Sequence, residues 1–114
     1  MRYTEEHHDL HDKVETVVDM LLADDLELIT DCLAVEYQVF YESDFTISDI
    51  AVEFLVTFGG PNIRVLYFAN SEHFVVKGVW SDTAYERSLT LDPYSLIQNE
   101  CASIAESVRD RLER

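Results

Sequence analysis

Histidines and carboxylates are concentrated near the beginning of the sequence, where their spacing could serve metal binding. His7 and His11 are four residues apart, so a helix would place them on one face, with His8 or Asp12 nearby. Zinc accepts such groups when further ligands come from elsewhere in the fold. The rest of the chain offers no evident partner, since His73 stands alone. We therefore expect exposed polar residues here, with no metal site and no cofactor.

The acidic residues of the same region form a second pattern, which could serve protein recognition. Some fall on one helical stripe and the others continue the acidic run: Glu5, Asp9, Asp12, Asp19, Asp24, Asp25, Glu27 and Asp31. Carboxylates three or four residues apart on a helix lie ~5–6 Å apart, a spacing similar to that of successive phosphates on a nucleic-acid strand. We interpret these eight residues as a candidate partner-binding surface that could occupy a nucleic-acid channel. The alternative is an ordinary solvated helix face.

The net charge of the protein indicates which kinds of molecule it can bind. Twenty-three acidic and eight basic residues give a formal charge of −15 and a pI near 4.3. Such a surface repels nucleic acid and anionic lipid, so we expect no direct nucleic-acid or membrane binding and expect a basic protein as the partner. Thirteen of the acids, with only two bases, lie in residues 1–44. This concentration favours a functional surface over general solubility or salt tolerance.

Motifs for other chemistry do not stand out in the sequence. We find no nucleophile elbow, no phosphate-binding loop and no calcium-binding spacing, so we predict that the protein is not an enzyme. Cys32 and Cys101 sit in apolar patterns without metal spacing, which is typical of reduced thiols in a cytosolic protein. The start of the sequence lacks a signal-peptide pattern, and no apolar run is long enough to span a membrane. We therefore expect a cytoplasmic location.

The elements that must position these residues begin with two predicted helices. Apolar residues from Leu10 to Leu22 recur at helical spacing and predict a helix over residues 5–22, with Thr4 as its cap. The Asp24-Asp25 pair indicates a break, and we predict a second helix over residues 26–41. A single longer helix over residues 5–41 is the alternative.

The remaining sequence predicts four strands and a last helix. Alternation of apolar and polar residues over 50–58, 63–68, 73–80 and 85–91, separated by short turns, predicts an antiparallel meander. Asp92-Pro93 then favours the start of a helix whose apolar stripe runs from Ile97 to Leu112. We thus predict one α+β domain of order α-α-β-β-β-β-α, with the helices packed on one face of a four-stranded antiparallel sheet.

The other face of this sheet is also predicted to be apolar. The residues that point to it are Leu55, Leu66, Phe68, Val75 and Val79. A solvated sheet face is normally polar, so either a helix or a second subunit should cover it. We interpret these five residues as a candidate homodimer face.

One segment resembles a hairpin of known proteins. Residues 52–65, VEFLVTFGGPNIRV, resemble a strand, Gly-Gly-Pro turn and second strand found in small acidic proteins of phages and mobile elements. The likeness covers fourteen of the 114 residues. Together with size and acidity, it resembles phage-encoded inhibitors of host defence such as anti-CRISPR proteins. That resemblance implies a non-enzymatic function in the host cytoplasm and supplies no catalytic residues.

Three hypotheses about function follow from the sequence. The first is an inhibitor that binds a basic nucleic-acid-binding surface of a CRISPR effector or nuclease by charge mimicry. The second is a homodimeric structural or interaction module whose acidity serves solubility or salt tolerance. The third is an enzyme or metal protein that uses the histidine cluster.

Overall fold

A computed structural model describes residues 5–57 and 61–113 and shows the α+β fold that the sequence predicts. The helices and strands are α1 Glu5–Leu22, α2 Glu27–Thr30, β1 Ala34–Tyr41, β2 Ile47–Thr57, β3 Asn62–Phe68, β4 His73–Trp80, β5 Thr83–Thr90 and α3 Leu96–Leu112. The predicted cap at Thr4, the strand end at Phe58 and the turn glycines Gly59 and Gly60 lie outside the described residues. None of the described helices combines the length and apolar character needed to cross a bilayer.

The sheet is an antiparallel meander of five strands in the order β1-β2-β3-β4-β5. The predicted meander is therefore confirmed, with one strand added at its beginning. Each strand is a neighbour in space of the strand that precedes it in sequence, as short connections favour.

The additional strand replaces most of the predicted second helix. Helix α2 ends at Thr30, and residues 34–41 form β1, which pairs with β2 from Ala34 opposite Leu55 to Tyr41 opposite Ile47. The segment AVEYQVFY is rich in β-branched and aromatic residues, which favour strands. Pairing with β2 makes a strand more stable here than the helix that the spacing of apolar residues predicted.

Two other boundaries differ from the prediction by a few residues. Strand β2 starts at Ile47, three residues earlier than predicted, with a register shift opposite Phe40 and Tyr41. Helix α3 starts at Leu96 because Ser95 is its cap and accepts the Gln98 N–H. Asp92, predicted as that cap, instead accepts the Tyr94 N–H in the turn before the helix.

Both long helices pack on the same face of the sheet and bury a single core. Helix α1 lies against β4 and β5, and α3 lies against β2. The buried apolar side chains of the two helices are Leu10, Val14, Val17, Val18, Leu21, Ile97, Cys101, Ala105 and Val108. They meet the buried residues of the central strands, where the rings of Tyr67 and Phe74 lie 5.0 Å apart.

Gly78 permits the close approach of α1 to the sheet. A Cβ at this position would lie 2.6 Å from Val14 Cγ2 and 2.8 Å from Leu10 Cδ1. Both distances are shorter than carbon atoms tolerate in a packed core, so a side chain at residue 78 would force Val14 and Leu10, or the helix itself, to shift.

Gly78→Ala is therefore expected to lower the free energy of unfolding by about 1–3 kcal/mol, the usual cost of overpacking. Urea denaturation checks this. Val14→Ala removes the methyl group nearest to the new Cβ, so the double variant should lose less stability than the sum of the two single variants. Strict additivity would contradict the proposed contact.

Candidate functional site

The buried stripe of α1 determines which of its carboxylates face solvent. Because Val14, Val17 and Val18 lie against the sheet, Asp12 and Asp19 project from the opposite side of the helix and are exposed. Asp9 is half-buried, and the side chain of Asp12 keeps 76% of its surface exposed. The side chain of Glu5, also predicted as partner-binding, lies outside the described residues.

The acidic run after α1 divides into a structural part and an exposed part. Glu27 and Asp31, in and just after α2, are exposed. Asp25 is half-buried and accepts the Glu27 N–H through Oδ1 at 3.2 Å. Asp24 belongs to the structural part.

Asp24 joins the end of α1 to the beginning of α3. Its Oδ1 accepts the Ser95 hydroxyl at 2.7 Å and the Ile97 N–H at 3.0 Å, and its Oδ2 accepts the Leu96 N–H at 2.9 Å. The bonds from Ile97, Leu96 and Ser95, in that order of importance, lower the pKa of this carboxyl. Its positive φ of 58° lies in the left-handed region, which aspartate tolerates better than most residues. Both oxygens of Asp24 are thus used inside the fold.

Glu15 is a second structural carboxylate, which the sequence analysis did not single out. It accepts the Tyr85 hydroxyl at 2.9 Å and forms an ion pair with Arg87 at 2.6 Å, so it connects α1 to β5. Burial alone would raise the pKa of Glu15, but the hydrogen bonds from Tyr85 and Arg87 outweigh it and lower the pKa. Its partners lie 70 and 72 residues away in sequence, so local spacing could not reveal them.

Helix α3 adds exposed carboxylates to the same side of the sheet. Glu100, Glu106 and Asp110 are exposed on α3, whereas its basic residues Arg109 and Arg111 lie in its last turn. We call the described carboxylates of the three helices and of Asp31 that have no partner role inside the fold the acidic helix surface: Asp9, Asp12, Asp19, Glu27, Asp31, Glu100, Glu106 and Asp110. The contribution of α3 was missed because its segment is nearly neutral in total charge.

The five predicted dimer-face residues lie on the sheet face opposite the helices. Leu55, Leu66, Phe68 and Val75 are half-buried, and Val79 is 38% exposed. Leu66 is opposite Val75 in the register, and the ring of Phe68 stacks on His73 at 4.8 Å.

The basic residues of the central strands lie on this same face. Arg64 forms an ion pair with Glu53 at 3.2 Å and is opposite Lys77 in the register. The fold therefore places Arg64 and Lys77 on the side of the sheet away from the acidic helix surface.

Metal-binding groups are not assembled among the described side chains. No three histidine, cysteine or acidic residues within that part of the chain are placed to hold a metal ion, and the side chains of His7 and His8 lie outside it. A groove of about 400 Å³ at the end of α1 is lined by Asp24 and Asp92, both of which accept backbone N–H groups. Burial raises the pKa of Cys101 to about 12, which keeps this thiol protonated at neutral pH.

Comparisons with known proteins return no match to a family model, to a curated protein or to a solved structure. The resemblance of residues 52–65 to phage and mobile-element hairpins stays a prediction.

Asp24→Asn is expected to lower the melting temperature by several degrees at pH 7, because an amide is a weaker acceptor for three donors than a carboxylate. The folded-state pKa of Asp24 is lowered, so its contribution to stability is present above the unfolded pKa and is lost as the pH falls through the lower, folded value. The difference in melting temperature between the wild type and the variant should therefore become smaller at strongly acidic pH. Thermal melts followed by circular dichroism between pH 2 and pH 7 measure it.

Asp19→Asn is the matched control, since it makes the same change on the outer side of α1. An equal loss of stability in both variants would contradict the role assigned to Asp24.

Proposed function

We propose that this protein acts by binding, with the acidic helix surface docked on the basic, nucleic-acid-binding surface of another protein. An inhibitor of a CRISPR effector or nuclease, of the kind that phages and mobile elements encode, is the function that this surface would serve. No covalent chemistry is required of the chain, and the acidic side chains would stand in place of a nucleic-acid backbone.

The observation that carries the proposal is the concentration of exposed carboxylates in α1 and α2 on one side of the sheet. In α1 and α2 the described part of the chain presents exposed carboxylates from Asp12 to Asp31 with Lys13 as the single base. Arg64 and Lys77 lie on the opposite face, Arg87 is paired with Glu15, and Arg109 and Arg111 lie in the last turn of α3. A molecule that is acidic only for solubility has no need of such a concentration.

Electrostatics then sets the character of the interaction. Opposite charges steer two proteins together and raise the association rate, which falls as salt screens the attraction. At physiological ionic strength the screening length is about 8 Å, so carboxylates that project directly at the partner dominate. Asp9, Asp12 and Asp19 lie within three turns of one helix and would act together.

Replacing Asp9, Asp12 and Asp19 by lysine in one variant is expected to abolish capture of nucleic-acid-binding proteins from a bacterial lysate at low salt. The wild-type protein should capture them at low salt, lose them at moderate salt, and release them when nucleic acid is added as a competitor. Mass spectrometry of the captured proteins is the measurement, and circular dichroism verifies that the variant folds.

The matched control reverses three carboxylates away from the acidic helix surface, Glu36, Glu42 and Glu86, and so makes the same change in net charge. Capture by the control with loss in the test variant supports the proposal. Equal capture by both variants would show that these helix carboxylates do not bind the partner.

A second candidate function is the homodimeric interaction module, whose acidity serves solubility or salt tolerance. The observation in its favour is the apolar composition of the sheet face that carries Leu66, Phe68 and Val75. A free energy of unfolding that rises steeply with molar salt, together with indifference to the charge reversals above, would favour it.

A further inference from the structure

Strand β1 has an open edge and is poorly covered on both of its faces. It is the first strand in the sheet order, and among the described residues it pairs only with β2. Seven of its eight residues are exposed. Helix α1 lies mainly over β4 and β5 and α3 mainly over β2, and of the β1 residues only Val39 is half-buried against the core.

Six exposed side chains of this region are large and apolar. Their exposed fractions are 62% for Leu33, 41% for Val35, 47% for Tyr37, 42% for Phe40, 54% for Tyr41 and 86% for Phe45. Proteins usually protect a sheet edge with charged residues, proline or a covering element, because an open edge pairs readily with another strand. In β1 the single charged residue is Glu36.

The hairpin tip after β1 extends the same apolar surface. Phe45 has a φ of 68°, a left-handed conformation that a bulky residue adopts at an energetic cost. The turn is fixed by Asp44, which accepts the N–H and the hydroxyl of Thr46. The exposed ring of Phe45 adds nothing to the hydrophobic core, so contacts of this ring within the chain do not offset the energetic cost of this turn. A contact of the ring with another chain would offset it.

We propose that a second copy of this chain binds the open edge of β1, so that the two β1 strands pair in antiparallel orientation and form one continuous ten-stranded sheet. This inference does not depend on the proposed function, since it uses a different surface and a different kind of contact.

Charge is the first reason for a second copy. Two molecules of charge −15 repel each other, and they can approach closely only where carboxylates are few. Strand β1 meets that condition along its length, with one carboxylate in eight residues, and the flanking carboxylates Asp31, Glu42 and Asp44 lie beyond its two ends. An acidic or basic partner strand would find little charge to recognise there, whereas a strand of the same composition fits by backbone pairing and apolar contact.

Symmetry is the second reason. A twofold axis perpendicular to the sheet places the start of one β1 beside the end of the other, on the same side of the sheet. Leu33 of each copy then lies near Tyr41 and the hairpin tip of the other copy. Val35, Tyr37 and Val39 of both copies would form one apolar strip on the helix side, in the space that α3 leaves uncovered.

The sheet face predicted from sequence as the dimer face is the less favourable surface. Leu55, Leu66, Phe68 and Val75 are already half-buried among their neighbours, whereas Tyr37 and Tyr41 on β1 are about half exposed. A second copy therefore covers more apolar surface per residue at β1, and it also satisfies the backbone groups of an open edge.

Sedimentation velocity over a range of protein concentrations tests the proposal. The wild-type protein should dimerise, and Tyr37→Lys or Val35→Lys should raise the dissociation constant about tenfold or more, because each places a new charge in the centre of the apolar strip. Glu36→Gln should tighten the dimer by removing the like charges of the two strands. Val79→Lys, at a similarly exposed valine on the central sheet face, is the matched control and should leave the dimer intact.

Salt separates this interface from the acidic helix surface. Added sodium chloride should strengthen the dimer, because it screens repulsion between two acidic molecules, whereas it should weaken capture of a basic partner. A wild-type protein that stays monomeric at its highest soluble concentration overturns the inference. The inference is also overturned if Val79→Lys disrupts the dimer while the folded Tyr37→Lys and Val35→Lys variants dimerise like the wild-type protein. That result would place the second copy on the sheet face instead.

Discussion

The shape and chemistry of this protein depend on one constraint: two helices must cover one face of a five-stranded sheet, and they leave most of the first strand exposed. Gly78 permits the close approach of α1 to the sheet, since a Cβ there would lie within 3 Å of Val14 and Leu10 side-chain atoms. The carboxylate of Asp24 then fixes the start of α3 to the end of α1. Strand β1, which the helices leave mostly uncovered, has an open edge that could pair with a strand of another chain.

The acidic residues divide according to this arrangement. Glu15 and Asp24 are turned inward toward hydrogen-bond donors, which lower their pKa values and connect distant parts of the chain. The carboxylates of the acidic helix surface face solvent, where a basic partner could contact them. The proposed contacts with a basic protein and with a second copy therefore use separate surfaces and respond to salt in opposite directions.

The sequence predicted the helices and strands correctly where the apolar residues follow one period. The prediction was wrong where helical spacing and strand alternation occur in the same segment. The stripes of α1 and α3 and the alternation of β2 to β5 recur over enough residues to identify helix and strand. In residues 26–41, Leu26, Ile29 and Leu33 follow helical spacing while Val35, Tyr37 and Val39 alternate, and only pairing with β2 decides between them. The roles of Asp24 and Glu15 depend on partners about 70 residues away, which a local pattern cannot identify.

The central claim is that the acidic helix surface faces the partner. Hydrogen–deuterium exchange of the protein, alone and bound to the most abundant nucleic-acid-binding protein that it captures, tests this most directly. The account predicts slower exchange on binding in α1 and α2, with β3 and β4 unchanged. Slower exchange confined to β3 and β4, with α1 and α2 unchanged, would contradict it.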